Sequence, residues 1–166
     1  MSKITYVLLV LPLLFSGCSS REQDKPDNVP AQSAPQVNEY PPLVLRFENG
    51  EELSTKNLKG KNVFVLFQPD CSHCQEEAIH IEQRLGEFKD YNLYFISSSA
   101  MDQIMGFAKD FKLDEKKNVK FAWTNPEGVL TYYGPIPTPS VYIYSNGKMK
   151  QSFNGQTEID TILQAL

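Results

Sequence analysis

The cysteines Cys71 and Cys74 lie between two contrasting sequence patterns, and this position limits the folds that the chain can adopt. A continuous apolar run, Val63–Phe67, comes just before them and is typical of a strand buried on both faces. A segment of helical periodicity follows, with one apolar face formed by Cys74, Ala78, Ile81, Leu85 and Phe88. The two thiols are therefore predicted to lie where a buried strand gives way to a helix.

The start of a helix favours negative charge, because its first amide groups have no partner within the helix and its dipole is positive there. Such a position stabilises a thiolate on Cys71, which we expect to be the more exposed of the two sulfurs. Cys71 is therefore the candidate nucleophile, and Cys74 is the second thiol of a dithiol pair. Dithiol chemistry is the leading interpretation of this spacing.

Strand and helix patterns alternate along the rest of the chain, which predicts an α/β domain with parallel strand pairing. Leu43–Phe47 and Glu52–Leu53 flank an Asn-Gly turn and predict a small hairpin. We expect further strands at residues 62–67, 93–96, 119–123, 141–144 and 149–153, and helices at about 74–90, 101–111 and 158–166, the last capped by Thr157. The strand at 62–67 should be central.

Residues 1–17 have the pattern of a signal peptide, with a basic start, an apolar run from Tyr6 to Phe15 and small residues at 16 and 17. The run is too short for a spanning helix, which needs about 20 apolar residues. Leu14–Cys18 resembles the lipobox of bacterial lipoproteins, although Phe15 departs from it, and the resemblance implies a lipid on Cys18. Ordinary cleavage nearby, with Cys18 as a free thiol, is the alternative.

Residues 18–39 are predicted to be a lipidated cysteine and flexible tether, and residues 40–166 a single folded domain. The tether is rich in polar residues and proline, so it cannot offset the entropy of ordering. The domain has enough length and apolar content for one core. With a formal net charge of −4 and no cluster of Lys and Arg, the chain is not expected to bind nucleic acid.

The order of these elements resembles a thioredoxin fold, with Cys71-x-x-Cys74 after a buried strand and a Thr-Pro before a closing hairpin. The lead-in Leu58–Lys61 and the spacing Cys71-x-x-Cys74-x-x-Glu77 are similar to the TlpA-like group of exported thioredoxins. The resemblance covers about residues 41–166. It implies a thioredoxin-like α/β fold in which a central mixed sheet is flanked by helices, with an N-terminal β-hairpin extension.

The resemblance implies a thiol-disulfide oxidoreductase of the bacterial cell envelope that reduces or exchanges disulfides in exported proteins and uses no cofactor. Substrate disulfides would be attacked by Cys71 and the mixed disulfide resolved by Cys74. A separate membrane electron-transfer partner would then reduce the pair, and the lipid on Cys18 would hold the protein at a membrane. Substrate identity and the net direction of exchange stay open.

Pro139 matches the cis-proline that begins the closing hairpin of thioredoxins, since it stands at the expected spacing before Asn146-Gly147. The resemblance then places the backbone of Thr138 beside the two sulfurs. An extended substrate chain could pair with that backbone as an added strand. Thr138 and Pro139 are therefore the predicted substrate-binding residues.

Two departures from thioredoxins alter the expected site. Val65 replaces the buried Asp that thioredoxins carry six residues before the first cysteine. Glu77, which TlpA-like proteins often have, could replace it as the group that takes a proton from Cys74; a solvated carboxylate on the helix surface is the alternative. Gln68–Asp70 stands where the family usually has a Trp-x-x-Trp sequence, so the surface that meets substrates should differ.

His73 lies between the two cysteines, where its imidazole could stabilise the Cys71 thiolate and make the protein a better oxidant. The same three residues suggest the main alternative, a copper-binding or metallochaperone module, because thiolates and imidazole suit soft metals. Three ligands in one turn make a poor closed site, so no metal is expected. A peroxidase is disfavoured because Gln68 stands where peroxiredoxins have Thr, and a module with a merely structural disulfide is a last alternative.

Overall fold

The computed structural model describes residues 39–166. The predicted signal peptide, the lipidation at Cys18 and the tether up to residue 38 lie outside the described residues. Glu39, placed in the tether by the sequence, forms an isolated β-bridge with Lys148. The folded part of the chain thus includes this residue.

Seven strands and four helices form the fold of residues 39–166, in the order that the sequence predicts apart from one added helix. The strands are β1 (Val44–Arg46), β2 (Glu52–Ser54), β3 (Lys61–Leu66), β4 (Asn92–Ser97), β5 (Val119–Trp123), β6 (Ser140–Ser145) and β7 (Lys148–Asn154). The helices are α1 (Ser72–Gln83), α2 (Met101–Asp110), α3 (Pro126–Tyr133) and α4 (Ile159–Leu163). Short 3-10 turns occupy Thr55–Asn57 and Leu85–Phe88.

The strands form one mixed sheet in the order β2-β1-β5-β4-β3-β6-β7. β3 pairs in parallel with β4, and β4 with β5, as the alternation of strands and helices predicts. β6 runs antiparallel to β3, with Leu66 opposite Ser140, so the end of β3 and the start of β6 meet at one edge. This mixed sheet with flanking helices and an N-terminal hairpin confirms the predicted fold class.

Side chains from β3 alternate between two apolar clusters, one on each face of the sheet. Val63 and Val65 pack with residues of α1 and α2, and Ile162 of α4 joins the same cluster. Phe64 and Leu66 face the opposite cluster, which is rich in tyrosine. Within residues 39–166, no helix is long and apolar enough to cross a membrane.

Three details differ from the sequence prediction. α1 ends at Gln83 rather than near residue 90. A separate 3-10 turn follows it, and Phe88 of that turn is buried. α3 was not predicted, although Asn125 caps it through a bond from the Glu127 amide. The predicted cap Thr157 is wrong: Glu158 occupies the cap position of α4, and the Thr157 hydroxyl donates to the carbonyl of Gly155.

Candidate active site

Cys71 is the N-cap residue of α1, as the position of the cysteine pair predicts. Its backbone is extended, and its sulfur accepts a hydrogen bond from the backbone amide of Cys74 at 3.3 Å. In most helices a hydroxyl or carboxylate oxygen accepts this bond. A sulfur in this position is stabilised most when it carries the negative charge of a thiolate.

The two thiols are both free, yet they lie in unequal environments. Cys71 is partly exposed, whereas Cys74 is 2% exposed. Burial alone would raise the pKa of Cys71, but hydrogen bonds from Cys74, from the side chain of Thr138 and from the backbone of His73 together lower it. Burial, followed by the hydrogen bond with Cys71, raises the pKa of Cys74 to about 12. Cys71 is therefore the thiol that ionises first.

Thr138 and Pro139 lie against the cysteine pair. The peptide bond between them is cis, as predicted. The thiol of Cys71 contacts the carbonyl oxygen of Thr138 at 3.6 Å. The backbone of Thr138 is thus close to a substrate chain whose disulfide is attacked by Cys71.

Glu77 lies one turn into α1 from Cys74 and is 1% exposed. Neither carboxyl oxygen makes a hydrogen bond of normal geometry. Burial raises the pKa of Glu77 to about 7, the backbone amide of Thr157 partly opposes this rise, and the charge of Glu158 adds to it. The alternative of a solvated carboxylate is therefore wrong.

The segment after β7 covers this part of α1. The side chain of Gln156 donates to the carboxylate of Glu76 at 2.6 Å, and the amide of Gly155 donates to the carbonyl of Pro139 at 2.9 Å. Farther along α1, Arg84 pairs with Asp160 of α4 at 2.8 Å. Thr157 and Glu158 of the same segment lie close enough to Glu77 to affect its pKa.

The imidazole of His73 is on the outside of the site. Its side chain is 64% exposed, and Nδ1 lies 3.9 Å from a carboxylate oxygen of Glu76. Of His73, the backbone rather than the imidazole contributes to lowering the pKa of Cys71. The imidazole is thus free to meet a substrate or partner rather than packed against the sulfurs.

Gln68 belongs to the site, although sequence reasoning named it only as a departure from the family. Its side-chain oxygen accepts hydrogen bonds from the hydroxyls of Ser99 at 2.6 Å and Ser97 at 3.4 Å. Its backbone also lies close enough to Cys74 to lower the pKa of that thiol slightly. The departure from the family pattern was the sequence signal for this residue, because a polar side chain directly after a buried strand needs hydrogen-bond partners.

A cavity of about 360 Å³ opens beside the cysteine pair. Gln68 and Thr138 both line it, and most of the remaining wall is apolar, formed by residues such as Leu66, Ile96, Val129, Leu130 and Ile136. α3, the helix that the sequence did not predict, thus supplies part of the wall. The site combines a nucleophilic thiol with an apolar surface large enough for a side chain.

Within the part of the chain that the structure describes, no group of three or more His, Cys, Asp or Glu side chains is arranged to hold a metal ion. His73 and Cys71, two of the residues considered as soft ligands, make no side-chain contact with each other there. Cys18 lies outside the described residues.

Sequence comparison with known proteins agrees with a site for thiol-disulfide exchange. The AhpC/TSA family matches residues 33–151. The thiol-disulfide oxidoreductase ResA of Bacillus thuringiensis is 26% identical over 125 residues, which cover 71% of this chain and 69% of that protein.

Two solved structures share the fold. A secreted disulfide oxidoreductase of Mycobacterium tuberculosis, homologous to Escherichia coli DsbE, has a TM-score of 0.63 at 15% identity and covers 80% of this chain and 97% of its own. Copper-bound ScoI of Arabidopsis thaliana has a TM-score of 0.60 at 16% identity and covers 76% of this chain and 94% of its own. The chain belongs to the AhpC/TSA family and, within it, is a TlpA-like thiol-disulfide oxidoreductase.

Proposed function

We propose that this protein reduces disulfide bonds in exported proteins, with Cys71 as the nucleophile and Cys74 as the resolving cysteine. One observation carries the proposal: the pair is asymmetric. Cys71 is partly exposed with a lowered pKa, and Cys74 is buried with a pKa raised to about 12. An attacking thiol must be accessible and ionised, whereas a resolving thiol is best kept protonated until the mixed disulfide has formed.

The reaction takes place in two exchanges. The Cys71 thiolate attacks one sulfur of the substrate disulfide, that bond breaks, and the leaving sulfur takes a proton from solvent. Cys74 then loses its proton and attacks the Cys71 sulfur, and the second substrate sulfur leaves as a thiolate. The substrate gains two electrons and becomes a dithiol, and Cys71 and Cys74 are left joined as a disulfide.

Glu77 is the proposed acceptor of the Cys74 proton, acting directly or through one water molecule. Its carboxyl has a pKa raised to about 7, so it is partly ionised near neutral pH and basic enough to accept a proton. The backbone of Thr138 is proposed to pair with the substrate chain, since its carbonyl oxygen lies 3.6 Å from the Cys71 sulfur. His73 is proposed to stabilise the thiolate once a bound substrate excludes water from its imidazole.

The proposed location is the bacterial cell envelope, with a lipid on Cys18 as the anchor and residues 19–38 as the tether. A disulfide can persist or cycle there, outside the reducing cytosol. Since the described domain has only two cysteines, electrons must come from a separate protein, proposed to be a membrane electron carrier.

The test is a comparison of single-cysteine variants of the full chain, with Cys18→Ser in every protein so that only the pair reacts. With dithiothreitol as electron donor, the parent should reduce insulin, and Cys71→Ser should reduce none. After dithiothreitol has been removed, reduced Cys74→Ser should accumulate a mixed disulfide with insulin, which fresh reducing agent releases. If Cys71→Ser trapped the substrate instead, the roles assigned to the two cysteines would be reversed. A parent protein that does not reduce insulin would exclude the proposed reductase function.

A further inference from the structure

Gln68 lies at the carboxyl end of β3, two residues beyond the last position of that strand. Gln68 lines the apolar cavity together with Thr138, and it also lines a second cleft formed with Pro69, Asp70 and Ser99. The carboxamide thus stands between two openings next to the cysteine pair. The backbone carbonyl of Gln68 accepts the amide of Cys71 at 3.2 Å, so this residue adjoins the nucleophile.

The two ends of this carboxamide have different roles. Its oxygen is held by hydroxyl donors from the end of β4 and the loop that follows, Ser97 at 3.4 Å and Ser99 at 2.6 Å. Ser97 is itself fixed, since it is 3% exposed and accepts the Ser99 amide at 3.2 Å. The nitrogen makes no hydrogen bond to any residue from 39 to 166, and it is not fully buried. The group is therefore oriented but keeps two unused donors.

We propose that the side-chain nitrogen of Gln68 donates a hydrogen bond to a backbone carbonyl of the substrate segment while Cys71 attacks its disulfide. This inference rests on the proposed reductase function and adds a residue that positions its polypeptide substrates. The backbone of Thr138 and the amide of Gln68 then hold an extended segment over the same cavity. Gln68 acts as a substrate-positioning residue and takes no part in the exchange of sulfurs.

The serine bonds make this contact effective. A side chain that is already fixed in the binding orientation loses little conformational entropy when the substrate arrives. A site with donors placed for a substrate also discriminates against molecules that lack the matching acceptor. A small aromatic disulfide without a carbonyl group gains nothing from Gln68, whereas a polypeptide gains one hydrogen bond.

The experiment compares insulin, a polypeptide disulfide, with 4,4′-dithiodipyridine, which has no peptide backbone and whose ring nitrogens lie across each ring from the sulfur. The proteins are the full chain with Cys18→Ser, alone and with Gln68→Leu, Gln68→Glu or the matched control Gln83→Leu, which changes an exposed glutamine at the far end of α1. Each protein is tested for kcat and KM with insulin and for its rate with dithiodipyridine. The second rate corrects for any change in thiolate reactivity, including that caused by the added charge of Gln68→Glu.

Both Gln68 variants should raise KM for insulin about fivefold to tenfold, the effect of losing one hydrogen bond, with kcat within about twofold. In both variants, the ratio of kcat/KM for insulin to the rate with dithiodipyridine should fall by the same factor. Gln83→Leu should leave this ratio unchanged. Gln68→Glu keeps an acceptor for the two serines and replaces the free donor. A loss with Leu but not with Glu would therefore assign the contact to the oxygen and overturn the proposal.

An unchanged ratio in both Gln68 variants would also overturn it, while leaving the reductase function in place. Failure of the parent to react with either disulfide would instead contradict the proposed function itself. The two failures are thus distinguished by the activity of the unsubstituted protein.

Discussion

At the residue scale, Glu77 combines a buried carboxyl group with the absence of a normal hydrogen bond to either oxygen. Its pKa, raised mainly by burial to about 7, lies above the value of about 4.3 expected in the unfolded chain. Between these two values the folded protein holds a proton that the unfolded chain releases. Stability therefore falls as the pH rises through this window, and the full cost of ionised Glu77 is present above pH 7.

We expect Glu77→Gln to remove this pH dependence, because an amide stays neutral throughout. The free energy of unfolding of the variant, relative to wild type, should rise by roughly 2 to 3 kcal/mol between pH 4.5 and pH 8. Urea unfolding at the two pH values measures it. Glu115→Gln, a change at an exposed glutamate, is the matched control. A difference that does not change with pH would show that Glu77 ionises normally.

The same Glu77→Gln variant should be slower in catalysis, because Cys74 would lose its proton acceptor. General-base catalysis commonly accounts for a factor of about 100 or more. Decay of the mixed disulfide between Cys71 and a peptide should slow by about that factor near pH 7, while the first attack by Cys71 changes little. Stopped-flow with mass analysis separates the two steps. Equal slowing of both steps would indicate a general disturbance of the site.

The burial of Glu77 and the fixation of Gln68 depend on contacts that are distant in sequence. Helical spacing places Glu77 on the inward side of α1, but its carboxyl also lies close to Thr157 and Glu158, about eighty residues away in the chain. The orientation of Gln68 likewise depends on serines about thirty residues away. The cysteine pair could be predicted because its strand and helix are local patterns, whereas these contacts require the assembled fold.

At the element scale, the central strands were predictable because each is a continuous apolar run, which the sheet buries on both faces. α3 spans only eight residues and has no buried residue, and its main signal is the Asn125-Pro126 start. The helical propensity of such a short segment is small. Its position depends on packing of Val129 and Tyr133 against the tyrosine-rich cluster.

The cap of α3 gives a prediction at this scale. Asn125 accepts the Glu127 amide at 2.9 Å, so Asn125→Ala leaves that amide without its partner. We expect a loss of about 1 kcal/mol in the free energy of unfolding and faster amide hydrogen exchange within α3. Asn125→Asp, which keeps an acceptor, should have nearly wild-type values. Equal losses in both variants would mean that the cap bond does not stabilise α3.

At the scale of the whole molecule, the residues just before β1 are part of the core. Tyr40 is 3% exposed, and its ring lies 5.6 Å from that of Phe64 and 4.7 Å from that of Tyr144. Its hydroxyl accepts a hydrogen bond from the buried side chain of Asn62 at 2.5 Å. This one side chain thus joins the start of the folded region to β3 and β6.

Two truncated proteins test where the folded region begins, one starting at Glu39 and the other at Pro41. Loss of Tyr40 leaves a cavity against Phe64 and removes one of the partners of the Asn62 amide. Loss of a large aromatic side chain from a core commonly costs about 3 to 5 kcal/mol. We therefore expect the protein that starts at Pro41 to be less stable by about 3 kcal/mol or more in urea unfolding. The protein that starts at Glu39 is its matched control and should equal the full chain. Equal stability of the two truncated proteins would place the start of the cooperative unit after Tyr40. The aromatic contacts of that ring would then contribute nothing measurable to the free energy of unfolding.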